Sequence, residues 1–350
     1  MKNSQISLTE TEINRIFDSF IGKKVLVIGD VMLDAYWRGH VERISPEAPV
    51  PIVHVHNTEY KLGGAANVAL NLKKLGADPI ICAALGEDYE GEIFLKMLDD
   101  SNINHGGIIF CKARPTTVKT RIVSGKHQLL RVDKEDDSQI TDKESAIITE
   151  KIKSLLETAD LVIFEDYDKG VISKKLIEDT VLIANQLKIP IAVDPKKRNF
   201  MEYKNVTLFK PNMRELAEGL KLDIDIHAPI SAIDGAANTL KKILKTKTAM
   251  ITLSENGVYI SGANDDGYLI PAHKRDIYDV SGAGDTVISV AALALLANVP
   301  IDVVAALANL AGGLVCEKVG VEPIDRENLL REAKIALGNH QIENKLATSL

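Results

Sequence analysis

The sequence predicts an α/β fold in which helices cover both faces of a mostly parallel β-sheet. Short apolar runs that end in turn residues alternate with longer stretches of helical periodicity along most of the 350 residues. Strands separated by helices tend to pair in parallel, because each helix carries the chain back to the starting edge of the sheet. Apolar residues make up 45% of the chain, which is enough for a large buried core.

The N-terminal segment predicts a leading amphipathic helix. Ser7 and Glu10 fit the S-x-x-E pattern of a capping box, in which each side chain bonds the other residue's backbone N–H. Ile13, Ile16 and Phe17 then recur at helical spacing. The segment has no long apolar run, so it does not resemble a secretory signal.

Six apolar runs predict the strands of the main sheet, and eight periodic stretches predict its helices. The strands are expected at 23–30, 79–86, 160–167, 189–195, 206–212 and 249–257. The helices are expected at 65–75, 89–100, 142–157, 174–187, 230–245, 284–297, 302–317 and 325–337. This regular alternation favours one doubly wound domain over separate all-α and all-β domains.

Two segments interrupt the alternation and predict a separate β structure. Segments 48–58 and 114–133 have no helix between their extended runs. In the second, Val118, Thr120 and Ile122 alternate with charged neighbours, as expected for a strand with one polar face. We expect these strands to project as a small lid. Exposed lid edges would favour pairing with a second copy of the chain, which predicts a homodimer.

Composition excludes several classes of function. The formal net charge is −7 and no basic stripe is visible, which argues against a nucleic-acid partner. The longest run of low polarity, 287–301, is too short to span a bilayer, so no membrane association is expected. Cys82, Cys111 and Cys316 are widely spaced and odd in number, which excludes a disulfide framework and fits a reducing cytoplasm.

The stretch "KLGGAANVALNLKKLGA" (61–77) is the first motif with chemical potential. Gly63 and Gly64 allow a ligand close to the backbone, and a helix is expected to open directly after them. Asn67 would lie in the first turn of that helix, where its amide can both donate to and accept from a polyol. The alternative is a helix N-terminus that simply packs tightly on a strand.

The stretch "DVSGAGDTVISVAAL" (279–293) is the second motif. Gly282, Ala283 and Gly284 would present successive backbone N–H groups to an anion at a helix N-terminus. Asp285 would stand beside that anion, where a carboxylate is useful as a base that takes a proton from an attacking hydroxyl. The alternative is a first-turn acid that only favours the helix dipole. No Walker A pattern, G-x-x-x-x-G-K-[ST], occurs in the chain.

Together the two motifs resemble the two signatures of the ribokinase (PfkB) family of carbohydrate kinases. The resemblance extends over about 23–337. It implies a ribokinase-like doubly wound sheet with a small β lid, ATP as phosphoryl donor and Mg²⁺ as cofactor. It also implies that Asp285 is the catalytic base and that the backbone of Gly282, Ala283 and Gly284 stabilises the transferred group.

The resemblance implies further binding residues, for each of which a capping or surface role stays open. The sugar is expected at Asp34, Gly63, Gly64 and Asn67. The nucleotide is expected at Asn212, Glu215, Ser254, Gly257 and Asn309, with Glu215 also holding Mg²⁺ through water. Asp279 and Ser281 match positions around a monovalent cation, usually K⁺. The predicted organisation is an N-terminal helix in 1–22, a kinase domain over 23–337 with lid strands within about 34–60 and 107–133, and a C-terminal tail over 338–350.

A closer resemblance indicates the substrate. "GDVMLDAYWRGHVERISPEAPVPIV", "RPTTVKTRIV" and "QLLRVDKED" are similar to the heptose 7-phosphate kinases of this family. This implies phosphorylation of the C1 hydroxyl of D-glycero-β-D-manno-heptose 7-phosphate for the lipopolysaccharide core. Such kinases are often fused to an adenylyltransferase with an H-x-G-H element, which is absent here, so a stand-alone kinase is expected. In "EDYDKG", Glu165 and Asp168 depart from the more usual "SDYAKG".

A phosphorylated sugar would need cations away from the ATP site. Basic residues cluster in or beside the predicted lid, and Arg forks suit phosphate geometry. The predicted phosphate ligands are Lys119, Arg121, Arg131 and Lys169; Arg43 and Lys126 lie in the same region. The alternative is exposed charge on lid strands.

Other functions stay open at this stage. A kinase of fructose, ribose or phosphofructose would keep the fold and change only the acceptor. A non-catalytic ligand-binding protein would not need Asp285 and the glycine segment intact. A Rossmann dehydrogenase is excluded, because no G-x-G-x-x-G follows the first strand.

Overall fold

The computed structural model describes residues 6–338 except 126, 265–266 and 274. Lys126 and almost all of the predicted tail over 338–350 therefore lie outside the described residues, as do the first five residues of the predicted N-terminal helix.

The described chain folds into strands and helices that follow the predicted alternation. The strands are β1 Lys24–Gly29, β2 Val31–Ile44, β3 Pro51–Gly64, β4 Asp78–Cys82, β5 Ala84–Gly86, β6 Ile109–Cys111, β7 Val118–Ser124, β8 His127–Lys134, β9 Leu161–Glu165, β10 Ile191–Asp194, β11 Leu208–Phe209, β12 Thr248–Thr252, β13 Val258–Ser261 and β14 Gly267–Ile270. The helices are α1 Glu10–Asp18, α2 Ala65–Lys74, α3 Tyr89–Asp100, α4 Asp142–Leu156, α5 Lys174–Gln186, α6 Met213–Leu220, α7 Ile230–Leu244, α8 Ala283–Leu296, α9 Ile301–Cys316 and α10 Arg326–Leu337.

The main sheet has eight strands in the order β14-β13-β12-β11-β10-β9-β1-β4. Every pair from β12 to β4 is parallel, whereas β13 and β14 add an antiparallel edge. β1 pairs with β4 on one side and with β9 on the other, so the chain order reverses beside β1. In open α/β sheets, ligands bind at the carboxyl ends of the strands near such a reversal.

A second sheet of four strands, in the order β3-β2-β7-β8, forms outside the main sheet. Here it is called the lid. β2 and β3 each have 14 residues and pair in antiparallel fashion, while β7 joins β2 in parallel. A single residue, Asp30, separates β1 from β2. The lid is therefore anchored directly at the carboxyl end of a central strand.

Two local predictions are wrong. The helix cap is formed by Thr9 and Glu12, not by Ser7 and Glu10, because Leu8 is held in extended backbone by its N–H bond to Leu337. The run 79–86 is not one strand. It divides at Ala83, so that β4 stays in the main sheet and β5 pairs with β6 in a separate two-stranded sheet.

The main sheet has an apolar core on each face. Side chains alternate along a strand, so Val25 and Val27 pack on one face while Leu26 and Ile28 pack on the other. The first core includes α1, α2, α8 and α9, and the second includes α4, α5 and α7. Burial on both faces explains why the predicted strands are continuously apolar. In the described part of the chain, no helix has the length and apolarity needed to cross a membrane.

Candidate active site

Asp285 lies in the first turn of α8, directly after the small-residue segment. Gly282 caps the helix with φ at 78°, a left-handed conformation that favours glycine. The Asp285 side chain is buried, with 4% of the residue exposed. Asn67 Nδ2 donates to Asp285 Oδ2 at 2.6 Å, and the Tyr167 hydroxyl donates to Oδ1 at 2.9 Å. The structure thus brings both predicted motifs into one contact.

The environment of Asp285 makes it more basic than an exposed aspartate. Burial raises the pKa of its carboxyl to about 6, against the opposing hydrogen bonds from Asn67 and Tyr167. A carboxyl with this pKa is mostly ionised at neutral pH but accepts a proton more readily than usual. These are the properties of a general base.

The glycines of the first motif let the end of β3 approach Asp30 and β2 closely, directly before α2. Gly64 has φ at 61°, and a Cβ there would collide with the Asp30 carbonyl. A Cβ on Gly63 would collide with the Asp34 carboxylate. Asn71, one turn further along α2, donates to the Asn67 carbonyl at 2.8 Å. The tight turn thus fixes the side chain that holds Asp285.

An ion pair that the sequence did not indicate lies beneath the glycine segment. Lys210 Nζ is 2.7 Å from Asp194 Oδ2, and both side chains are buried. A Cβ on Gly284 would stand 3.6 Å from Asp194 Oδ2 and 3.8 Å from Lys210 Nζ. Asp194 ends β10 and Lys210 follows β11, and these neighbouring parallel strands end at the same edge of the sheet. That shared edge is the only feature of the sequence that could have indicated the pair. Tyr167 follows β9 at the same edge, and it was not assigned a role from the sequence either.

Glu165, one of the departures noted above, is buried at the end of β9. Neither of its carboxylate oxygens has a hydrogen-bond partner in the described chain. Burial, together with the charges of Asp194 and Asp285, raises its pKa well above the ordinary value. Glu165 therefore holds its proton more tightly than an exposed glutamate does.

A cavity of about 670 Å³ opens over the glycine segment. This volume is in the range of ligand pockets. Its lining contains all five residues predicted to bind the nucleotide, namely Asn212, Glu215, Ser254, Gly257 and Asn309. It also contains Gly282, Ala283, Gly284 and Asp285. The predicted nucleotide region and the predicted base therefore share one cavity.

Several of these residues also have the structural roles left open above. Asn212 and Glu215 form a capping box at the start of α6, with reciprocal bonds of 2.8 Å. The remaining oxygen of Glu215 is 2.6 Å from Lys196 Nζ. Asn309 donates to the Pro271 carbonyl at 2.8 Å.

The donor chemistry of the cavity fits Mg²⁺. Mg²⁺ prefers carboxylate oxygen and usually keeps several waters, bound by one or two carboxylates and the substrate phosphates. Glu215 offers such a carboxylate at the cavity wall. Among the described residues, no group of three or more acidic, His or Cys side chains forms a complete cage for a metal.

Asp279 organises the loop before Gly282. Its two oxygens accept N–H bonds of 2.9 Å from Ser281 and Gly320. Partial burial opposes ionisation, but these bonds prevail and lower the pKa of Asp279 below its ordinary value. The predicted cation residues thus present an ionised carboxylate.

The predicted phosphate ligands of the lid, and Lys169 in the loop after β9, each pair with an acidic side chain. Arg121 donates to the buried carboxylate of Asp34. The other predicted phosphate ligands also contact acids, with Lys119 near Asp133 and Glu135, Lys169 near Glu135, and Arg131 near Asp133. Each predicted cation therefore has an acidic partner in this structure.

Comparison with known proteins identifies the family. The model of the pfkB family of carbohydrate kinases matches residues 22–327. The chain belongs to this family. The resemblance predicted from the two motifs is confirmed, and the protein is a phosphotransferase that acts on a sugar hydroxyl.

Curated relatives include the bifunctional protein HldE from two bacteria. The one from Magnetococcus marinus is 37% identical, over 94% of this chain and 67% of its own length. The one from Caulobacter vibrioides is 39% identical, over 91% of this chain and 65% of its own length. The chain thus spans about two thirds of the length of these PfkB relatives.

Solved structures confirm the ribokinase-like fold. Phosphofructokinase-2 from Escherichia coli in complex with potassium has a TM-score of 0.74 at 17% identity, covering 91% of this chain and 99% of that one. Ribokinase from Arabidopsis thaliana with ribose and ATP has a TM-score of 0.69 at 17% identity, covering 89% and 98%.

Proposed function

We propose that this PfkB kinase transfers the γ-phosphoryl group of ATP to the C1 hydroxyl of D-glycero-β-D-manno-heptose 7-phosphate. The product would be the 1,7-bisphosphate, a precursor of ADP-heptose for the lipopolysaccharide core. The observation that carries the kinase chemistry is the buried Asp285 beside the glycine segment, in the wall of the nucleotide-sized cavity. The heptose assignment is supported by the lid motifs and by the similarity to HldE.

Asp285 performs the proton transfer. Its carboxylate accepts the proton of the sugar hydroxyl as the hydroxyl oxygen forms a bond to the γ-phosphorus. The bond from that phosphorus to the β,γ-bridging oxygen breaks, and ADP leaves with the electron pair. Asn67 and Tyr167 hold the carboxylate in place for this step.

Positioning and electrostatics supply most of the remaining catalysis in phosphoryl transfer. The backbone at Gly282, Ala283 and Gly284 would stabilise the transferred group at the start of α8, where the Ala283 N–H also donates to the Val280 carbonyl at 3.3 Å. Glu215 would hold Mg²⁺ through water, and that ion supplies charge neutralisation on the ATP phosphates.

The other binding residues keep their proposed roles. Asp34, Gly63, Gly64 and Asn67 hold the sugar, while Asn212, Ser254, Gly257 and Asn309 hold the nucleotide. Asp279 and Ser281 form a site for a monovalent cation such as K⁺. We place this activity in the cytoplasm, where ATP is available.

A turnover assay tests the substrate. ATP consumption is measured with free hexoses, ribose, and sugar 5-, 6- and 7-phosphates, and the product is examined for a phosphate on the anomeric carbon. Heptose 7-phosphate is expected to give the highest kcat/KM. A preference for an unphosphorylated hexose, or for a 6-phosphate, would replace the heptose with the fructose, ribose or phosphofructose alternatives.

A further inference from the structure

The four basic residues that are predicted to bind the substrate phosphate have different environments. Arg121 is engaged by Asp34 and lies over the Tyr36 ring, 5.2 Å from its centroid. Arg131 is on the edge strand β8 with 52% of its side chain exposed. Lys119 and Lys169 are more enclosed, with 18% and 15% of their side chains exposed. Enclosure strengthens the attraction of a cation for an anion.

The two enclosed lysines share one carboxylate. Lys169 Nζ is 2.8 Å from Oε1 of Glu135, and Lys119 Nζ is 3.6 Å from Oε2. Lys119 comes from β7 of the lid, whereas Lys169 comes from the loop after β9 of the main sheet. The site is thus an anion position between lid and core, in which each ammonium faces a different oxygen.

The position suits the far end of a bound sugar. Lys169 is two residues from Tyr167, whose hydroxyl contacts Asp285. Lys119 is two residues from Arg121 on the same face of the lid, and Arg121 contacts Asp34. Neither lysine lines the nucleotide cavity. An anion between the lysines would therefore belong to the acceptor and not to ATP.

We propose that Lys119 and Lys169 form the substrate-phosphate site and that Glu135 occupies it until the phosphate displaces it. This inference rests on the proposed function, in which the acceptor carries a phosphate. Asp133 lies 3.8 Å from Lys119 Nζ and pairs with Arg131, so the cluster of three cations and two carboxylates carries one net positive charge. A phosphate dianion cannot stay beside the carboxylate without strong repulsion, whereas a sugar without phosphate leaves the ion pairs intact. Glu135 is 27% exposed, so its side chain has a path into solvent.

Three variants test the displacement by kinetics. K169M removes one ammonium, E135Q removes the competing charge, and K134M is the matched control. Lys134 ends β8 directly before Glu135 but pairs with Asp88 and Glu90 instead. Each variant is assayed with the best sugar phosphate and with the same sugar lacking the phosphate.

The selectivity ratio is kcat/KM for the phosphorylated sugar divided by that for the unphosphorylated one. K169M should lower it by about 10-fold or more, as expected for a lost charge-assisted hydrogen bond. E135Q should raise it several-fold, and K134M should leave it unchanged. A lower ratio in E135Q would show that Glu135 only positions the lysines, which would overturn the displacement. An unchanged ratio in K169M would overturn the site.

A binding measurement separates this inference from the proposed function. The thermal midpoint is recorded with increasing inorganic phosphate, in the presence of saturating ADP to fill the nucleotide cavity. Phosphate should raise the midpoint of E135Q more than that of the wild type, and should have the smallest effect on K169M. Equal shifts in all three would overturn the site. If no sugar phosphate is turned over, the proposed function fails, and the phosphate titration alone decides the site.

Discussion

Asp285 has two properties that a dipole-favouring acid does not need. It is almost completely buried, and its hydrogen bonds come from other elements, Asn67 on α2 and Tyr167 after β9. Asp302, the first-turn acid of α9, shows the simpler case, since its carboxylate accepts the N–H of the adjacent Val303. Burying a carboxylate is costly, so this arrangement favours the catalytic role.

Replacing Asp285 distinguishes the two roles directly. D285N should lower kcat by about 10²–10⁴-fold, because the amide cannot accept the hydroxyl proton. Affinity for ADP, measured by calorimetry, should change little. D302N serves as the matched first-turn control and should keep full turnover. Normal turnover in D285N would show that Asp285 is not the base.

The raised pKa of Asp285 predicts the pH dependence of the reaction. The base must be ionised, so kcat/KM should fall as the pH drops below about 6, the pKa of Asp285. Tyr167 donates to the charged form and lowers this pKa, so Y167F should move the acidic limb to higher pH. Y203F is the control, because the Tyr203 hydroxyl donates to Asp166 instead. An acidic limb that Y167F leaves in place would contradict this assignment.

Glu165 should make stability depend on pH. Its pKa is raised in the folded state, so the folded chain holds the proton more tightly than the unfolded chain. Stability contributed by this proton is present below the unfolded pKa and is lost as the pH rises towards the folded pKa. Glutamine does not titrate. The free energy of unfolding of E165Q relative to the wild type should therefore rise between pH 5 and pH 8, by about 1 kcal/mol or more.

Denaturant titrations at several pH values measure this difference. E157Q is the control, since Glu157 is exposed at the end of α4. A difference between E165Q and the wild type that stays constant with pH would show that Glu165 is ionised throughout.

At the scale of elements, the sequence predicts the helices best. The stretch 89–100 coincides with α3, and 174–187 ends one residue beyond α5. Amphipathic periodicity is a local property of the sequence, so it predicts a long helix without knowledge of the tertiary structure. The eight residues of α6 are too few to show such periodicity, and only a single turn of 3-10 helix, Ser254–Asn256, separates β12 from the antiparallel β13–β14 pair.

The candidate site likewise has a part that lies in one contiguous stretch of sequence and a part that forms only through the order of the strands. The glycine segment and Asp285 are contiguous, so the sequence shows them as one motif, and its resemblance to the second PfkB signature, together with the first motif, indicates a phosphate site. Asp194 and Lys210 meet only because β10 and β11 are neighbours in the sheet. Such a contact depends on the order of strands, which local periodicity does not encode. Glu135 became visible for the same reason, through a contact between lid and core.

The turn that begins α8 gives a prediction at this scale. Gly282 has a positive φ, and a Cβ there would approach Asn67 Nδ2 at 2.8 Å. G282A should therefore displace Asn67 from Asp285, lower turnover, and reduce the free energy of unfolding by about 1–2 kcal/mol. G235A is the matched control. Gly235 is within α7 with open space around it, so alanine there should stabilise the chain by up to about 1 kcal/mol. Unchanged turnover in G282A would contradict the proposed coupling.

At the scale of the whole molecule, Asp30 connects the sheets to the site. Its carboxylate accepts backbone N–H bonds of 2.9–3.1 Å from Tyr167, Lys169 and Val171. The same residue joins β1 to β2, which enters the lid. Thus Tyr167, Lys169 and the root of the lid are fixed to one buried acid.

The lid has an apolar face directed away from these charges. Trp37, Ile122 and Leu130 are register partners on neighbouring strands and so share that face. Trp37 is 40% exposed and Leu130 is 55% exposed. Val132, two residues from Leu130 on the same face, is also exposed. A contiguous exposed apolar patch on a sheet marks an interaction surface, and we propose a second copy of the chain as its partner.

Sedimentation of surface variants tests this homodimer. The wild type should be a dimer at micromolar protein, because pairing two lids buries both apolar faces. L130E should be monomeric, since a carboxylate in the centre of the patch would be desolvated without a partner. L182E, at an equally exposed leucine on α5, should remain dimeric. A monomeric wild type, or an L130E variant that dimerises as strongly as L182E, would exclude the lid as the interface.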